Sequence, residues 1–387
     1  MLALKLAFKN LIGAGLRTWL NVAILSFAYV MIIFYNGMID GWNHQGQRDT
    51  RAWETGHGQL WHPAYDRYDP YTIAEAHAAI SKKAHQLIDS GKITPLLIRQ
   101  GSIFPQGRVQ NVLIKGICPN QNILKIPTRA LADSPNPYAA IIGKRMAEAT
   151  KLKKGDFVLL RWRDKNGTFD AHEIQIVSIF NCNVPSVDNG QIYLSLNTLQ
   201  KMTNLQNEAT LFVVGPDYRG GDLEQWKYKS DTWLLADFTA IIQAKKSGGL
   251  VLEALLLMLA LLAIFDTQVL AIFKRQKEIG TYVALGLTRW QVVGIFTVEG
   301  GMHSLLAAIL GAAYGIPFFL FLNKTGIHFG TPDMGITMAQ TIFPYYSLQL
   351  IVATIVIVII SATIVSYLPA KKVAKMKPAD ALKGKLQ

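Results

Sequence analysis

The sequence holds few of the residues and motifs on which metal, redox and nucleotide sites are usually built. Only two of the 387 residues are cysteines, Cys118 and Cys182, and two cannot form a CxxC metal site or a dense disulfide scaffold. A disulfide between them and two separate buried thiols both remain open. No Gly-x-x-x-x-Gly-Lys-Ser/Thr segment occurs, so the chain cannot cradle a nucleotide in a P-loop. Gly-x-Ser-x-Gly and His-Glu-x-x-His segments are also missing.

Histidines are present between residues 41 and 248, but their spacing does not predict a metal site. They are His44, His57, His62, His77, His85 and His172. His57 and His62 are an odd number of residues apart, so on one strand they would point to opposite faces. His77 and His85 are about two helical turns apart, which supplies two ligands and no third. We therefore expect surface or hydrogen-bonded histidines and no metal.

Composition and charge indicate a membrane protein. Half of the residues are apolar and the mean hydropathy is +0.22, which is high for a soluble chain. A formal net charge of +13 often indicates nucleic-acid binding. Outside residues 41–248, however, nearly all of the basic excess flanks apolar runs, as it does where charge orients membrane helices. Since no zinc finger, RNA signature or interleaved basic and aromatic tract occurs, we expect a membrane and no nucleic acid as partner.

Four apolar runs are each long enough to cross a bilayer at roughly 20 residues per crossing. We predict transmembrane helices at 18–40, 249–273, 291–322 and 347–368. The alternative for the first run is a cleaved signal peptide. That run is too long for the apolar core of a signal peptide and no Ala-x-Ala-like site follows it, so we predict a retained helix. Residues 1–17 mix basic and apolar side chains and predict an interfacial helix on the cytoplasmic surface.

The distribution of lysine and arginine predicts the orientation. The segment 274–290 is net positive and the tail 369–387 is rich in lysine, so both should face the cytoplasm. The loop 323–346 is nearly free of charge. Four crossings then place 41–248 and 323–346 outside the cytoplasm.

Residues 41–248 are polar, contain most of the prolines and include no spanning run, which predicts a folded domain inserted between the first two spans. Alternating and periodic patterns predict both strands and helices. The predicted strands are 58–62, 93–104, 108–117, 157–162, 173–180, 191–195 and 210–214, and the predicted helices are 71–89, 139–152 and 197–203. Asn166–Gly167 predicts a hairpin turn. The predicted fold class is an α-helical membrane protein of four transmembrane helices, with a large α+β extracytoplasmic domain inserted between helices 1 and 2.

Four ionisable residues fall within predicted spans, where a charge is costly. They are Glu253, Asp266, Glu299 and His303. One interpretation is a proton relay. The other, which we favour, places Glu253 near the outer end and Asp266 and Glu299 toward the inner side, facing protein or headgroups.

The basic segment between the second and third runs has a helical pattern. Ile279, Val283 and Leu287 repeat at four-residue spacing, which predicts a short helix with one apolar stripe. Gly280 and Gly286 allow a turn or a close backbone approach. On composition alone, an ordinary basic loop between two membrane helices fits equally well.

The order of residues in this segment is more specific than its composition. It reads Arg275-x-Lys277-Glu278-Ile279-Gly280, then Ala284-Leu285-Gly286, and later Glu299-Gly300. This order resembles the coupling segment of ABC permeases of the lipoprotein-releasing, macrolide-exporting and cell-division type (LolC/LolE, MacB and FtsX). In that family the segment is a short cytoplasmic helix that docks on a separate ATPase.

Weaker resemblances to the same family occur elsewhere in the chain. The run from Gly143 to Val158 is similar to the family's outer domain, and Gly56-His-Gly-Gln59 is similar to its lipoprotein-releasing branch. In the family's C-terminal pattern a Pro-Ala pair, here Pro369-Ala370, closes the last helix.

The resemblance implies a set of partners. An ABC ATPase dimer would be contacted by Arg275, Lys277, Glu278, Ile279, Gly280, Ala284, Leu285 and Gly286. The ion-pairing residues of this set would fix the register and the apolar ones would fill a groove. ATP and Mg would belong to the ATPase, and this chain would be a non-catalytic subunit with no cofactor of its own. A second permease subunit, identical or related, is expected because four helices are few to enclose a substrate path.

Resemblance and size together indicate a cargo. The chain has one outer domain and no fused ATPase, which favours release of outer-membrane lipoproteins from the bacterial inner membrane, with 41–248 in the periplasm. One alternative is a non-transporting mechanotransmitter that regulates a cell-wall hydrolase, and another is an exporter of a drug or peptide. A membrane-anchored extracytoplasmic enzyme would show activity from 41–248 alone, and no motif supports it.

Overall fold

The computed structural model describes residues 16–329 and 341–373. The predicted interfacial helix at 1–17 and most of the tail at 369–387 therefore lie outside the described residues. In chain order the α-helices are α1 (Leu16–Thr50), α2 (Lys82–Asp89), α3 (Arg129–Ala132), α4 (Lys144–Thr150), α5 (Pro185–Asp188), α6 (Leu196–Met202), α7 (Asp231–Leu234), α8 (Ala236–Lys274), α9 (Gln276–Ala284), α10 (Arg289–Thr325) and α11 (Leu348–Val373).

The strands are mostly in the region between α1 and α8. They are β1 (Gly58–Trp61), β2 (Ala78–Ala79), β3 (Ile93–Ile103), β4 (Gln110–Ile117), β5 (Ala139–Gly143), β6 (Phe157–Arg163), β7 (Phe169–Phe180), β8 (Gln191–Ser195), β9 (Glu208–Ala209), β10 (Leu211–Val214), β11 (Lys227–Ser230), β12 (Ile327–His328) and β13 (Thr341–Ile342). A π-helical turn follows α1 (Arg51–Thr55), and short 3-10 helices occur at Pro70–Ala74 and Pro105–Gly107.

The chain divides into two compact units. The inserted unit comprises 43–241 with 328–341, and the membrane unit comprises the remainder. The predicted domain at 41–248 corresponds to the main segment of the inserted unit.

Four helices of the membrane unit, α1, α8, α10 and α11, are long and apolar enough to span a membrane. The predicted four-span architecture, with a sheet-rich domain between the first and second spans, is confirmed. All four helices are longer than predicted, above all α1, which continues to Thr50, and α8, which begins at Ala236. The predicted limits followed the apolar runs alone, whereas a helix also continues through polar residues that retain its backbone hydrogen bonds.

Polar side chains join α1 to α8 along much of their length. The Nδ2 of Asn21 donates to the carbonyl oxygen of Ala263 at 2.9 Å. Further along, the Nδ2 of Asn36 donates to Glu253 Oε1 at 2.6 Å. Glu253 therefore has a hydrogen-bond donor within the bundle, as expected for an acid with a structural role.

The last helix departs from the pattern that the resemblance implied. Pro369 lies inside α11, which continues to Val373 instead of ending at the Pro-Ala pair. A proline in a helix removes one backbone hydrogen bond. Ala370 is fully buried in a core with Ile272 and Phe296, and this packing holds the extra turn in place.

The inserted unit is built on a nine-stranded sheet of order β11-β1-β10-β3-β4-β8-β5-β7-β6. Because β3 also pairs with β6, six strands (β3, β4, β8, β5, β7 and β6) close into a barrel. The other three extend from β3, where Ile93–Leu96 pair with β10 and Gly101–Ile103 pair with β6. Closure removes strand edges that would otherwise be open to pairing with another chain.

Two apolar cores lie on opposite faces of the barrel wall. The inner core takes at least one buried side chain from each barrel strand, among them Leu97, Ile114, Ile142, Leu160, Ile176 and Leu194. The outer core takes the alternate residues Ile98, Ile117, Ile141 and Tyr193 and is covered by helices and loops. Along β6, exposed and buried residues alternate strictly, so every second side chain faces outward and the others face the inner core.

Most predicted strands are confirmed, with shifts at their ends. Those at 58–62, 93–104, 108–117, 157–162, 191–195 and 210–214 are β1, β3, β4, β6, β8 and β10, and the helix at 197–203 is α6. The Asn166–Gly167 hairpin joins β6 to β7, with Gly167 at φ 87°. Strand β7 begins at Phe169, earlier than predicted, and β11 was not predicted.

The helix predicted at 139–152 is wrong in its first part. Ala139–Gly143 forms β5, and only Lys144–Thr150 is helical. All five residues of β5 are buried because the strand lies between β7 and β8. A short apolar run that is buried on both faces has no alternation and cannot be distinguished from a helix by periodicity.

The helix predicted at 71–89 is also wrong over most of its length. Only Lys82–Asp89 is α-helical, and it starts where the Ser81 hydroxyl accepts a backbone N–H as N-cap. Before it, Ala78–Ala79 pairs with Glu208–Ala209 as a short sheet. The first residues, up to Ala74, belong to the 3-10 helix at Pro70–Ala74, whose Ile73 is buried.

Candidate functional site

The segment 274–290 contains the predicted short helix, α9. A single residue, Arg275, separates it from α8 and has a non-helical backbone (φ −101°, ψ 17°). The prediction of a short helix in this segment is therefore confirmed.

The end of α9 is fixed by its own backbone. The N–H of Leu287 donates to the carbonyl of Tyr282 at 3.1 Å, and the N–H of Gly286 donates to the carbonyl of Val283 at 3.1 Å. This pair of bonds is a Schellman motif. It requires a left-handed backbone at Gly286, whose φ is 96°, which explains the glycine at this position.

The start of α10 is fixed equally well. The Thr288 hydroxyl accepts the backbone N–H of Gln291 at 3.4 Å, and the Gln291 side chain accepts the N–H of Thr288 at 2.8 Å. This is a capping box. A four-residue connection with both ends capped leaves α9 little freedom to rotate against α10.

One face of α9 packs on the membrane unit. Ile279 is 2% exposed, and it lies in a core with Ile272, Val293 and Phe296. Partly buried side chains, Tyr282, Val283 and Leu287 among them, extend this core. The apolar stripe predicted from the sequence therefore stabilises the chain's own fold.

The opposite face of α9 is open to solvent in this chain. Of the eight predicted ATPase-contact residues, five are exposed: Lys277, Glu278, Ala284, Leu285 and Gly286. Leu285 is 76% exposed and nearby Trp290 is 64% exposed. Ile279 and Gly280 are buried, so they position the helix and offer no surface to a partner. This is the part of the predicted site that the structure does not bring to the surface.

The eighth predicted residue, Arg275, forms a clamp between α9 and α10. Its Nε lies 2.8 Å from Glu278 Oε2, and its Nη1 lies 3.2 Å from Glu299 Oε2. The guanidinium carbon is 5.2 Å from the centre of the Phe296 ring. One cation thus joins an exposed acid on α9 to a buried acid on α10.

Glu299 continues into a buried polar cluster. Its side chain is 5% exposed, and its backbone oxygen accepts a hydrogen bond from His303 Nδ1 at 2.8 Å. A Cβ added at Gly300 would lie 1.7 Å from the Ser366 hydroxyl of α11. The cluster therefore holds α10 close to α11.

These contacts favour the structural interpretation of the charges within the spans. Glu299 is paired with Arg275, and Glu253 is bonded to Asn36. Asp266 is exposed on its helix. Over the residues that the structure describes, no hydrogen bond links Glu253 or Asp266 to Glu299.

Sequence reasoning missed three members of this region: Phe296, Trp290 and Ser366. Phe296 and Ser366 lie in apolar runs, where pattern alone does not distinguish a contact from a lipid-facing position. The position of Trp290 could have been predicted, since a tryptophan next to the end of a membrane helix is typical of the membrane interface.

Three histidines of the inserted unit have partners inside it. His77 bonds to Glu208 and His85 to Asn207. His172 packs on the Tyr138 ring. Within 16–329 and 341–373, no group of three His, Cys, Asp or Glu residues is arranged to hold a metal ion.

Both cysteines are free thiols, which decides between the two alternatives left by the sequence. Cys118 is partly buried and Cys182 is buried. Burial raises the pKa of the Cys182 thiol to about 12, so it stays neutral and unreactive.

The chain matches known proteins over its membrane region and beyond. Residues 250–378 match the family described as "FtsX-like permease C-terminal". An ABC transporter permease of Methanocaldococcus jannaschii is 30% identical over 266 residues, which are 64% of this chain and 62% of that one. The chain therefore spans less than two thirds of the length of this relative.

Other relatives belong to two branches of the same group. The lipoprotein-releasing system transmembrane protein LolC of Xylella fastidiosa is 21% identical over 320 residues, 74% of this chain and 76% of that one. The macrolide export ATP-binding/permease protein MacB of Wolinella succinogenes is 23% identical over 194 residues, 49% of this chain and 27% of that one.

Among solved structures, the extracellular domain of the noncanonic ABC-type transporter YknZ from Gram-positive bacteria matches 45% of this chain. The match includes 98% of the YknZ domain, at 11% identity and a TM-score of 0.28. Residues 250–378 thus match an FtsX-like permease domain, and over a longer stretch the chain is similar to ABC transporter permeases, LolC and MacB among them.

Proposed function

We propose that this chain is the membrane subunit of a transporter driven by a separate ABC ATPase, which docks on the exposed face of α9. The carrying observation is that α9 has two faces with different roles. Its inner face is buried in the chain's own core, whereas its outer face presents Lys277, Glu278, Ala284 and Leu285. An exposed leucine bordered by charged residues offers a partner an apolar contact with a polar rim, which is the arrangement of protein interfaces.

Docking at α9 would transmit force into the membrane helices. A partner that moves α9 also moves Arg275, whose other contact is Glu299 of α10. Ile279 would carry the same displacement to α8 and α10 through their shared core. Such coupling requires elements that shift as rigid bodies between discrete states, and the caps at both ends of the α9–α10 connection meet that requirement.

The docking proposal is tested by paired substitutions on the two faces. Burying a leucine at an interface contributes about 1.5–3 kcal/mol, so Leu285→Ala should weaken association with the ATPase by about tenfold to hundredfold. Because Leu285 is exposed in this chain, thermal stability should not change. Ile279→Ala is the matched control and should lower stability instead. Equal ATPase binding by the wild type and Leu285→Ala would refute docking on this face.

We propose lipoproteins of the bacterial inner membrane as the cargo, with the inserted unit in the periplasm. Support comes from the match to LolC, which covers 74% of this chain, whereas the match to MacB covers 49%. Purification of the intact complex in mild detergent, followed by identification of every chain, tests this. A bound acylated lipoprotein supports export, and a second copy or a related permease would identify the other subunit.

Two alternatives are outcomes of the same experiment. A co-purified cell-wall hydrolase would favour a mechanotransmitter that moves no cargo. Binding of a drug or peptide, without a lipoprotein, would favour an exporter of the MacB type. A working assembly without any nucleotide-hydrolysing chain would refute the proposal as a whole.

A further inference from the structure

The outer wall of the barrel carries a groove of about 640 Å³ that the proposed function does not use. It lies over strands β3, β4 and β6, beside the start of β7, and the 3-10 helix at Pro70–Ala74 borders it. We call it the β6 groove and define it by Tyr71, Ser102, Asn111, Arg161, Arg163 and Phe169, which line it. All of these residues belong to the inserted unit.

The β6 groove is positively charged. Arg161 and Arg163 lie two residues apart on the outward face of β6 and are both exposed. None of the residues that line the groove is an aspartate or glutamate. The neighbouring Asp164 accepts the backbone N–H groups of Asn166 at 2.9 Å and Thr168 at 2.8 Å, so its carboxylate is committed to the hairpin turn.

Aromatic rings hold the two guanidinium groups in place. The Cζ of Arg161 is 5.7 Å from the Phe104 ring centre and 5.2 Å from that of Phe169. The Cζ of Arg163 is 5.9 Å from the Phe169 ring. The Nε of Arg163 donates to the carbonyl of Gly167 at 2.9 Å. A guanidinium that lies against a ring keeps its remaining N–H groups at its edge, where a carboxylate or phosphate can accept them.

A third guanidinium lines an adjoining cavity. Arg99 is 5% exposed, and its Nη1 donates to the carbonyl of Ile73 at 2.9 Å. Its Nε and Nη2 have no partner within the described residues. Arg99 and Arg163 line an adjoining cavity of about 340 Å³, together with Lys165, Glu75 and Asp164. The cations outnumber the acids across both cavities, which favours an anion in the groove.

Apolar surface lies beside these charges. Tyr71 is 88% exposed and Phe169 is 65% exposed. The groove volume falls within the range of about 300–1,000 Å³ that is usual for small-molecule sites. A ligand matched to the groove would carry one anionic group and an apolar body of modest size.

We propose that the β6 groove binds a small amphiphilic anion, with a carboxylate or phosphate group between Arg161 and Arg163 and an apolar body along Tyr71 and Phe169. This assigns the inserted unit a ligand of its own, beyond the transport function proposed above. The binding does not depend on ATP or on the docking face of α9.

Binding is measured on the full chain in nanodiscs of zwitterionic lipid, by isothermal titration with four probes. Octyl phosphate and octanoate carry both parts of the ligand, octanol lacks the charge, and inorganic phosphate lacks the apolar body. We expect the two amphiphilic anions to bind at least tenfold more tightly than octanol or phosphate. The tighter of the two identifies the head group as phosphate or carboxylate.

Substitutions locate the site. Arg161→Gln with Arg163→Gln should weaken octyl phosphate binding at least tenfold, and Tyr71→Ala should weaken it severalfold. Lys154→Gln, which removes an exposed cation outside the groove, is the control and should change nothing. Circular dichroism and thermal unfolding confirm that each variant is folded.

Three results would overturn the proposal. Octanol that binds as tightly as octyl phosphate would show partition into the nanodisc alone. Unchanged affinity in the folded double arginine variant would place the anion elsewhere. Binding of an acidic peptide, with no binding of either amphiphilic anion, would assign the groove to a protein partner.

Discussion

The clamp at Arg275 leads to a prediction that separates a structural role for Glu299 from a proton relay. Between Nη1 and Oε2 the distance is 3.2 Å, which gives a Coulomb attraction of about 5 kcal/mol at an effective dielectric constant of about 20, before desolvation. Glu299→Leu removes one partner of a buried pair, and the expected loss is about 3 kcal/mol. Glu299→Gln keeps an oxygen that accepts from the cation, so it should cost only about 1–2 kcal/mol.

Two measurements on purified, detergent-solubilised protein check this order. Thermal unfolding should rank the wild type above Glu299→Gln and that variant above Glu299→Leu. Transport by the reconstituted assembly should follow the same order, because thermal stability and transport both depend on the connection between α9 and α10. Association with the ATPase should be unchanged, since neither substitution alters the exposed face of α9.

A relay predicts a different pattern, because glutamine cannot take up or release a proton. If Glu299→Gln were as inactive in transport as Glu299→Leu while remaining as stable as the wild type, with ATP hydrolysis and assembly intact, the structural interpretation would be wrong. Arg275→Gln provides the second arm of the test. It should lower stability with the same sign, since it leaves Glu299 buried without its cation.

Three further predictions concern backbone, packing and ionisation. Gly286→Ala should lower the free energy of unfolding by about 1–2 kcal/mol in thermal unfolding, because alanine is strained at φ 96°. No atom lies within 4 Å of the added Cβ, so the strain alone is measured. The helical Gly294→Ala is the control and should be neutral or stabilising. Gly300→Ala should lower the free energy of unfolding by about 1–3 kcal/mol, because the added Cβ meets the Ser366 side chain. The same loss in a protein that also carries Ser366→Gly would contradict this explanation. Burial raises the pKa of Cys182 from 9.0 to about 12, so the thiol ionises first in the unfolded chain and stability falls as pH rises above about 9. A maleimide at pH 8 should label Cys182 only after denaturation. Rapid labelling of Cys182 in the native protein would refute its burial.

The sequence predicted the elements whose patterns are local. The span count followed from four apolar runs, and β6 followed from alternation between Phe157 and Trp162 that reappears as alternate burial. The β6–β7 hairpin followed from Asn166–Gly167, because the glycine accepts the positive φ of 87° that this turn needs. In each case the determining physics acts within a few residues.

The failures lie where partners distant in sequence decide the outcome. Ala139–Gly143 is a strand because β7 and β8 flank it, and neither neighbour is readable from five apolar residues. The closure of the barrel through Gly101–Ile103 and β6 is equally non-local. The Arg275–Glu299 pair joins residues on two different helices, so spacing along the chain does not reveal it.

The division of α9 into two faces also limits what a pattern can say about a partner. An apolar stripe at Ile279, Val283 and Leu287 predicts that one face is covered, but not by what. Here the chain itself covers it, and the exposed face is the one with Glu278 and Leu285. A helix whose inner face is already packed cannot rotate on a partner without breaking that core. Movement of α9 must therefore be shared by α8, α10 and α11, and a substitution that loosens the core at Ile279 should uncouple the ATPase from the spans even where docking is intact.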